Sequence, residues 1–160
     1  MAIAIYTDGG CSGNPGPGGW AYVMVHKTSQ GNSIIEEKCG GEKNTTNNRM
    51  ELLAVISALN AYKEKTNLPE QVKLPQQVIV HTDSQYVQKG ITEWIKKWKK
   101  NSWKTSDKKP VKNQDLWLAL DALNTEMSVD WQWVQGHAGD VYNERCDSMT
   151  QEAIVDILRA

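Results

Sequence analysis

The stretch Gln77-Val-Ile-Val-His-Thr-Asp83-Ser-Gln-Tyr86 decides the architecture. A short apolar run that ends on an acid reads as a buried strand, and Asp83-Ser-Gln-Tyr opens a short helix that Gly90 is expected to close. Upstream, Leu52, Leu53, Ile56, Leu59 and Tyr62 recur at helical spacing from Asn48 onward, and that helix should stop before Pro69 and Pro75. Residues 63–76 read as a solvated, lysine-bearing loop. A strand reached through a helical crossover commonly pairs parallel to an earlier strand. The partner on offer is Ala2-Ile-Ala-Ile-Tyr-Thr7, followed by Asp8 and a glycine- and proline-rich run to Gly19, so the chain is expected to turn directly after Asp8.

Working outward, 20–26 and 34–39 read as two more strands, with Gly31-Asn32 as the hairpin turn between them. Three sequential strands imply an antiparallel meander. Downstream, 94–100 and 113–126 read as helices, the latter periodic in Leu116, Leu120 and Leu123. Then 129–134 reads as a strand and 142–158 as a final helix. The expected fold is α/β, a mixed five-stranded sheet of three antiparallel strands plus two parallel additions, flanked by helices. No linker divides residues 1–160, so one domain is expected. Asp8 and Asp83 then both stand at the carboxyl ends of strands, where ligand sites of open α/β sheets gather.

Charge is segregated along the chain. The formal net charge is −1, but between Trp94 and Lys112 eight lysines face one aspartate, a local +7, which leaves −8 for the remainder. A polyanion approached by one face is the implied partner. With 39% hydrophobic and 23% charged residues, the composition is that of an ordinary globular protein. No apolar run approaches the length of a membrane span, and the amino terminus lacks the pattern of a secretory leader, so the expectation is a cytoplasmic protein with no membrane association. Cys11, Cys39 and Cys146 are widely separated with no C-x-x-C pair, which argues for reduced thiols over disulfides or zinc.

Four acids stand out: Asp8 after the first strand, Glu51 in the first turn of the first helix, Asp83 after the fourth strand, and Asp147 near the start of the last helix. Singly, each has a structural reading. Asp8 suits a turn, Glu51 a capping box with Asn48, Asp83 an N-cap, and Asp147 an exposed surface. Together they are harder to explain, because adjacent parallel strands would set Asp8 beside Asp83 with Glu51 close by. Like charges so placed repel unless divalent cations lie between them, and hard oxygen ligands suit Mg²⁺ or Mn²⁺. Two such ions about 3.5–4 Å apart can activate water and stabilise a leaving oxygen without a covalent nucleophile.

Tyr6-Thr-Asp8-Gly-Gly, Gly13-Asn-Pro-Gly-Pro-Gly-Gly-Trp20, Thr45-Thr-Asn-Asn-Arg-Met-Glu51-Leu, Thr82-Asp83-Ser-Gln-Tyr-Val, Trp94-Ile-Lys-Lys-Trp-Lys-Lys, Gly136-His137-Ala-Gly and Asn143-Glu-Arg-Cys-Asp147 occur in that order. Motif by motif, the chain resembles the type 1 ribonuclease H family, of the bacterial kind with a basic protrusion, here residues 94–112. The resemblance implies endonucleolytic hydrolysis of the RNA strand of an RNA–DNA hybrid, leaving 5′-phosphate and 3′-hydroxyl ends. It implies that Asp8, Glu51, Asp83 and Asp147 are the catalytic, metal-binding carboxylates of a two-metal mechanism, with two Mg²⁺ ions, or Mn²⁺, bound alongside substrate and no small-molecule cofactor. It implies that His137 assists proton transfer or product departure, for which an imidazole titrating near neutrality is suited.

By the same resemblance Tyr86, Trp94 and Trp98 match a channel for the DNA strand, and Thr46 and Asn113 match a pocket for a DNA phosphate. Cys11, Asn14, Asn47, Asn48 and Gln85 match positions that contact the minor groove and RNA 2′-hydroxyls, groups that both donate and accept. Lys99, Lys100 and Trp103 belong to the protrusion that grips the hybrid. On spacing alone, that segment reads equally as an amphipathic helix pinned by tryptophan and wetted by lysine, and both readings can hold for different tryptophans. A monomer is the default.

Three departures accompany the likeness. Many relatives place an arginine two residues before the pocket threonine, where this chain has Asn44. Asp140 adds an acid near the site. Asp147-Ser-Met-Thr150 replaces a commoner leucine and alanine, a packing change. Two rival readings follow from the residues: a DNA-cutting nuclease on the same architecture, as in integrases, transposases and resolvases, and a non-catalytic hybrid-binding module. The hybrid-contacting amides disfavour the first, and four intact acids the second.

Overall fold

Alternation along the strands builds two cores, one on each face of a sheet. The computed structural model describes residues 2–66, 77–134 and 140–160. Strand β1 spans Ala2–Cys11, β2 Gly16–Thr28, β3 Gly31–Thr45, β4 Val78–Thr82 and β5 Val129–Trp133, in the sheet order β3-β2-β1-β4-β5. The β1–β2 and β2–β3 pairs are antiparallel, while β1–β4 and β4–β5 are parallel. This is the mixed five-stranded sheet the sequence implies.

Side chains alternate in and out of the pleat. Ile3, Ile5, Tyr22, Met24, Val78 and Val80 pack with Leu52, Val55, Ile56 and Leu59 of helix α1 (Asn47–Thr66) and with Trp117 and Leu120 of helix α4 (Gln114–Glu126). The intervening Ala4, Tyr6, Ala21, Val23 and Val25 face the other way, toward Cys146 and Met149 of helix α5 (Val141–Arg159). Between β4 and α4 lie helix α2 (Gln85–Lys89), a π-helical turn at Gly90–Trp94, and helix α3 (Ile95–Lys100). Among the described residues no helix is long and apolar enough to cross a membrane. The three cysteines are free thiols, as expected.

Several local expectations are corrected. The chain does not turn after Asp8: β1 continues through Gly9 and Gly10 to Cys11, with Asp8 opposite Ala21 and Cys11 opposite Gly18. Gly9 permits this, because its missing side chain lets the backbone of Met50 and Glu51 close in. The β2–β3 turn is Ser29-Gln30, with Thr28 opposite Gly31, so Gly31-Asn32 already belongs to β3. There Gly31 has a φ of 130°, which a residue with a Cβ rarely adopts. Helix α1 runs to Thr66, so Lys63 and Lys65 are helical. Ion pairs from Lys63 to Glu126 and from Lys65 to Glu36 hold that last turn. The rest of the expected loop, 67–76, lies outside the described residues.

Gly90 does not close its helix. Its φ and ψ of −61° and −48° are helical, and the chain passes through the π turn into α3. A Cβ built on Gly90 would lie 1.8 Å from Cη2 of the fully buried Trp117, so the glycine is there for close approach.

Candidate active site and hybrid-binding face

In the β1–β4 ladder Tyr6 stands opposite His81. Two residues further along each chain, on the same side of the pleat, come Asp8 and Asp83. Both are half-buried at the carboxyl edge of the sheet. Beneath them the Tyr6 and His81 rings stack, 4.5 Å between centroids and 5° between planes. Glu51 reaches the same place from α1. Burial pushes its carboxyl up to about 7, with further upward contributions from Asp83 and Asp8.

The alternative structural roles are taken by other residues. Thr46 caps α1, its hydroxyl accepting from Arg49 N at 3.3 Å, and Glu51, the fifth residue of the helix, falls beyond the first turn. The expected capping box with Asn48 is therefore not how α1 begins. Ser84, rather than Asp83, caps α2, accepting from Val87 N at 3.1 Å. Asp8 sits in a paired strand, not a turn.

Gly9 brings α1 against the sheet. A Cβ there would stand 2.5 Å from Glu51 N and 2.6 Å from Met50 O, so backbone meets backbone beside the acids. Ser84 is a residue that sequence reasoning missed. Its buried hydroxyl donates to Glu51 Oε2 at 2.5 Å while accepting from α2, tying the glutamate to the helix that carries Gln85 and Tyr86. The preference of serine for helix N-caps marks the position, but not the donation to Glu51.

Asp147 lies half-buried on α5, one residue after Cys146. Cys146 Sγ donates to Tyr6 O at 3.2 Å, which seats that turn of α5 on β1, and Asp8 is near enough to help push the thiol up. Asp140 caps α5, accepting from Tyr142 N at 2.8 Å and Asn143 N at 3.2 Å, and so has a structural use. At the packing substitution Met149 and Thr150 are buried, the Thr150 hydroxyl with no hydrogen-bond partner among the described residues. His137 lies outside the described residues. Among those residues, no three histidine, cysteine, aspartate or glutamate side chains are gathered into a ready cation cage. The donor set is nevertheless entirely hard carboxylate oxygen, and a half-buried glutamate near two aspartates is a charge arrangement that a divalent cation relieves.

Because a group whose folded-state pKa is raised holds its proton more tightly folded than unfolded, Glu51 lowers stability as pH rises from about 4.5 to about 7. Glu51→Gln should therefore stabilise the metal-free protein at and above pH 7 by on the order of 1–3 kcal/mol. The gain should vanish below the unfolded carboxyl pKa. Thermal melts in chelator across pH 4–8 measure it, and equal stability of the two proteins at pH 8 would contradict it.

The remaining expected residues form a continuous band. Asn14 Oδ1 accepts from Asn47 N at 3.2 Å, and the Cys11 thiol lies within hydrogen-bond reach of Gly16 O and Thr45 O, so the turn after β1 is fastened to the start of α1. Asn47 and Gln85 are exposed, and Asn48 is half-buried. Tyr86 meets Trp94 at 5.5 Å, Trp94 meets Trp98 at 5.9 Å, and Trp98 meets Trp103 at 5.8 Å, centroid to centroid. All four rings are partly buried against the core, and two of them, Tyr86 and Trp98, lean on Trp117, a hub that sequence reasoning passed over. Helical periodicity in α4 was carried by its leucines and hid the tryptophan between them. Lys99 and Lys100 are both exposed, and Lys99 pairs with Asp121 at 3.0 Å. Thr46 and Asn113 are joined through Arg49, also missed, whose Nη1 donates to Asn113 Oδ1 at 3.2 Å.

Carboxylates at the carboxyl edge of this mixed sheet, beside an aromatic and basic face, define a ribonuclease H-like domain. The RNase H family matches residues 1–155. The chain is 56% identical to the ribonuclease H of Treponema denticola over 160 residues, covering 96% of this chain and 97% of that protein. Among solved structures, LC9-RNase H1, described as a type 1 RNase H with the type 2 active-site motif, is 31% identical with a TM-score of 0.80, over 97% of this chain and 72% of the other. LC11-RNase H1, solved in complex with an RNA/DNA hybrid, shares the fold at 24% identity and a TM-score of 0.70, over 98% and 99%. The chain belongs to the RNase H family. It is accordingly an endoribonuclease, a hydrolase of the RNA strand in RNA–DNA hybrids.

Proposed function

We propose that Asp8, Glu51, Asp83 and Asp147 cut hybrid RNA while holding two Mg²⁺ ions, with Mn²⁺ as a substitute, and leave 5′-phosphate and 3′-hydroxyl ends. The observation that carries this reading is the placement of Asp8 and Asp83 just beyond the paired parallel run of β1 and β4, with Glu51, held by Ser84, near enough for both their charges to act on it. Bound divalent ions supply charge neutralisation and a water of lowered pKa. The protein's part is to fix the acids: Gly9 sets the distance from α1 to β1, and Ser84 orients Glu51. His137 is assigned proton transfer or product departure.

Substrate choice is assigned to the flanking band. Asn14, Asn47, Asn48 and Gln85, with the backbone fastened by Cys11, read 2′-hydroxyls across the minor groove. Tyr86, Trp94 and Trp98 accommodate the DNA strand, Thr46 and Asn113 take one of its phosphates, and Lys99, Lys100 and Trp103 extend the grip along the protrusion. The hybrid held by the LC11 neighbour supports this choice of ligand. A cytoplasmic monomer acting as one domain completes the reading.

The test incubates the protein with hybrid labelled on the RNA, with Mg²⁺ and with chelator, beside duplex RNA and duplex DNA. Internal RNA cuts confined to hybrid and to metal are expected. Cleavage of duplex DNA would favour the integrase-like alternative, and binding without cuts would favour a non-catalytic module.

A further inference from the structure

We propose that Arg49 is a positioning residue for the DNA strand, setting the donors of the Thr46–Asn113 pocket and shielding the phosphate from Asp115. This deepens the reading above and rests on it. Arg49 holds Asp115 through two bonds, Nη1 to Oδ1 at 3.1 Å and Nη2 to Oδ2 at 3.0 Å, and from that anchored position donates to Asn113 Oδ1 at 3.2 Å. A guanidinium has donors only, so the atom of Asn113 that faces it must be the oxygen. The amide nitrogen is thereby turned to Tyr86, donating to its hydroxyl at 3.0 Å. Asn113 adopts a left-handed backbone, φ 59° and ψ 30°, one that asparagine tolerates, so the amide is presented from a fixed stem.

The Tyr86 hydroxyl also accepts from Trp117 Nε1 at 3.0 Å. With two donors aimed at its oxygen, its own proton has to be directed elsewhere. Thr46 Oγ1 likewise accepts, from Arg49 N at 3.3 Å, which leaves the hydroxyl proton for another acceptor. Asn113 Nδ2 keeps a second proton. Three neutral donors are thus turned outward around one cation, and the nearby carboxylate is already matched by that cation. Such a set suits a phosphodiester, which is acceptor-only and singly charged. Asn44, two residues before Thr46, is exposed on β3 and brings no charge, so the neutral donors set by Arg49 carry the contact.

The test places a single uncharged methylphosphonate at successive positions of the DNA strand and measures KM and kcat on each hybrid. For the unaltered protein, one register should raise KM roughly tenfold with kcat nearly unchanged, the effect of losing a charge-assisted contact. Arg49→Gln should show that higher KM on unmodified hybrid and no further rise at that register. Arg49→Lys keeps the charge without the two-armed hold on Asp115 and Asn113. It should lose register sensitivity as Arg49→Gln does, and it carries the test should the glutamine variant fail to fold. Full sensitivity in folded Arg49 variants, or full recovery by lysine, overturns the positioning role while the pocket stands. If no register matters to the unaltered protein, the pocket and this inference fall together.

Discussion

Asp8→Asn is expected to abolish cleavage while leaving hybrid binding intact. The substitution keeps shape and removes one charge from a row in which Asp8 and Asp83 act on Glu51 across the sheet edge. Metal-assisted charge stabilisation contributes several kcal/mol to a transition state, so the loss should reach about 10³-fold or more in the single-turnover rate. Binding draws on the band of amides, rings and lysines, none of which the substitution touches, and should change by no more than about twofold. Single-turnover cleavage and gel shift in chelator, run on the same preparation, separate the two quantities. An active Asp8→Asn protein would remove the metal role from this acid.

The second large effect concerns the fold beneath the binding face. A methyl group at Gly90 would meet Trp117 at 1.8 Å from Cη2 and 2.5 Å from Cζ2 and Cζ3. That ring is fully buried and tethered by its Nε1 to Tyr86, so it cannot yield without moving α2 or α4. Gly90→Ala, which would favour the helix on intrinsic propensity, should instead destabilise by about 3 kcal/mol or more. In a domain of this size that lowers Tm by roughly 6–12 °C. Gly10→Ala, whose methyl meets only Thr150 Cγ2 at 3.9 Å, is the matched control and should move Tm little. An unchanged Tm in Gly90→Ala would show that the contact relaxes at low cost.

The sheet was legible because its pattern is local. Apolar runs of five or six residues ending on Asp8 and Asp83 announce strands, and a helical crossover between strands commonly leads to parallel pairing. What was not legible arises from tertiary approach. The glycines after Asp8 resemble a turn in one dimension, yet in three β1 continues through them and α1 presses against it at Gly9. Gly90 looks like a helix stop and is a contact for an indole. Of the site, the four acids stood out by position at element ends. Ser84, Arg49 and Trp117 did not, since their roles depend on a partner 33, 64 and 31 residues away respectively. No window along the chain holds both members of such a pair.

Gly9 also bears on how far this molecule can be re-engineered. At Gly9, β1 meets Met50 and Glu51 of α1 main chain to main chain, with no side chain between them at that point. A side chain added at position 9 would therefore part α1 from β1 beside Glu51 and Asp8, whatever the cores on either face contain.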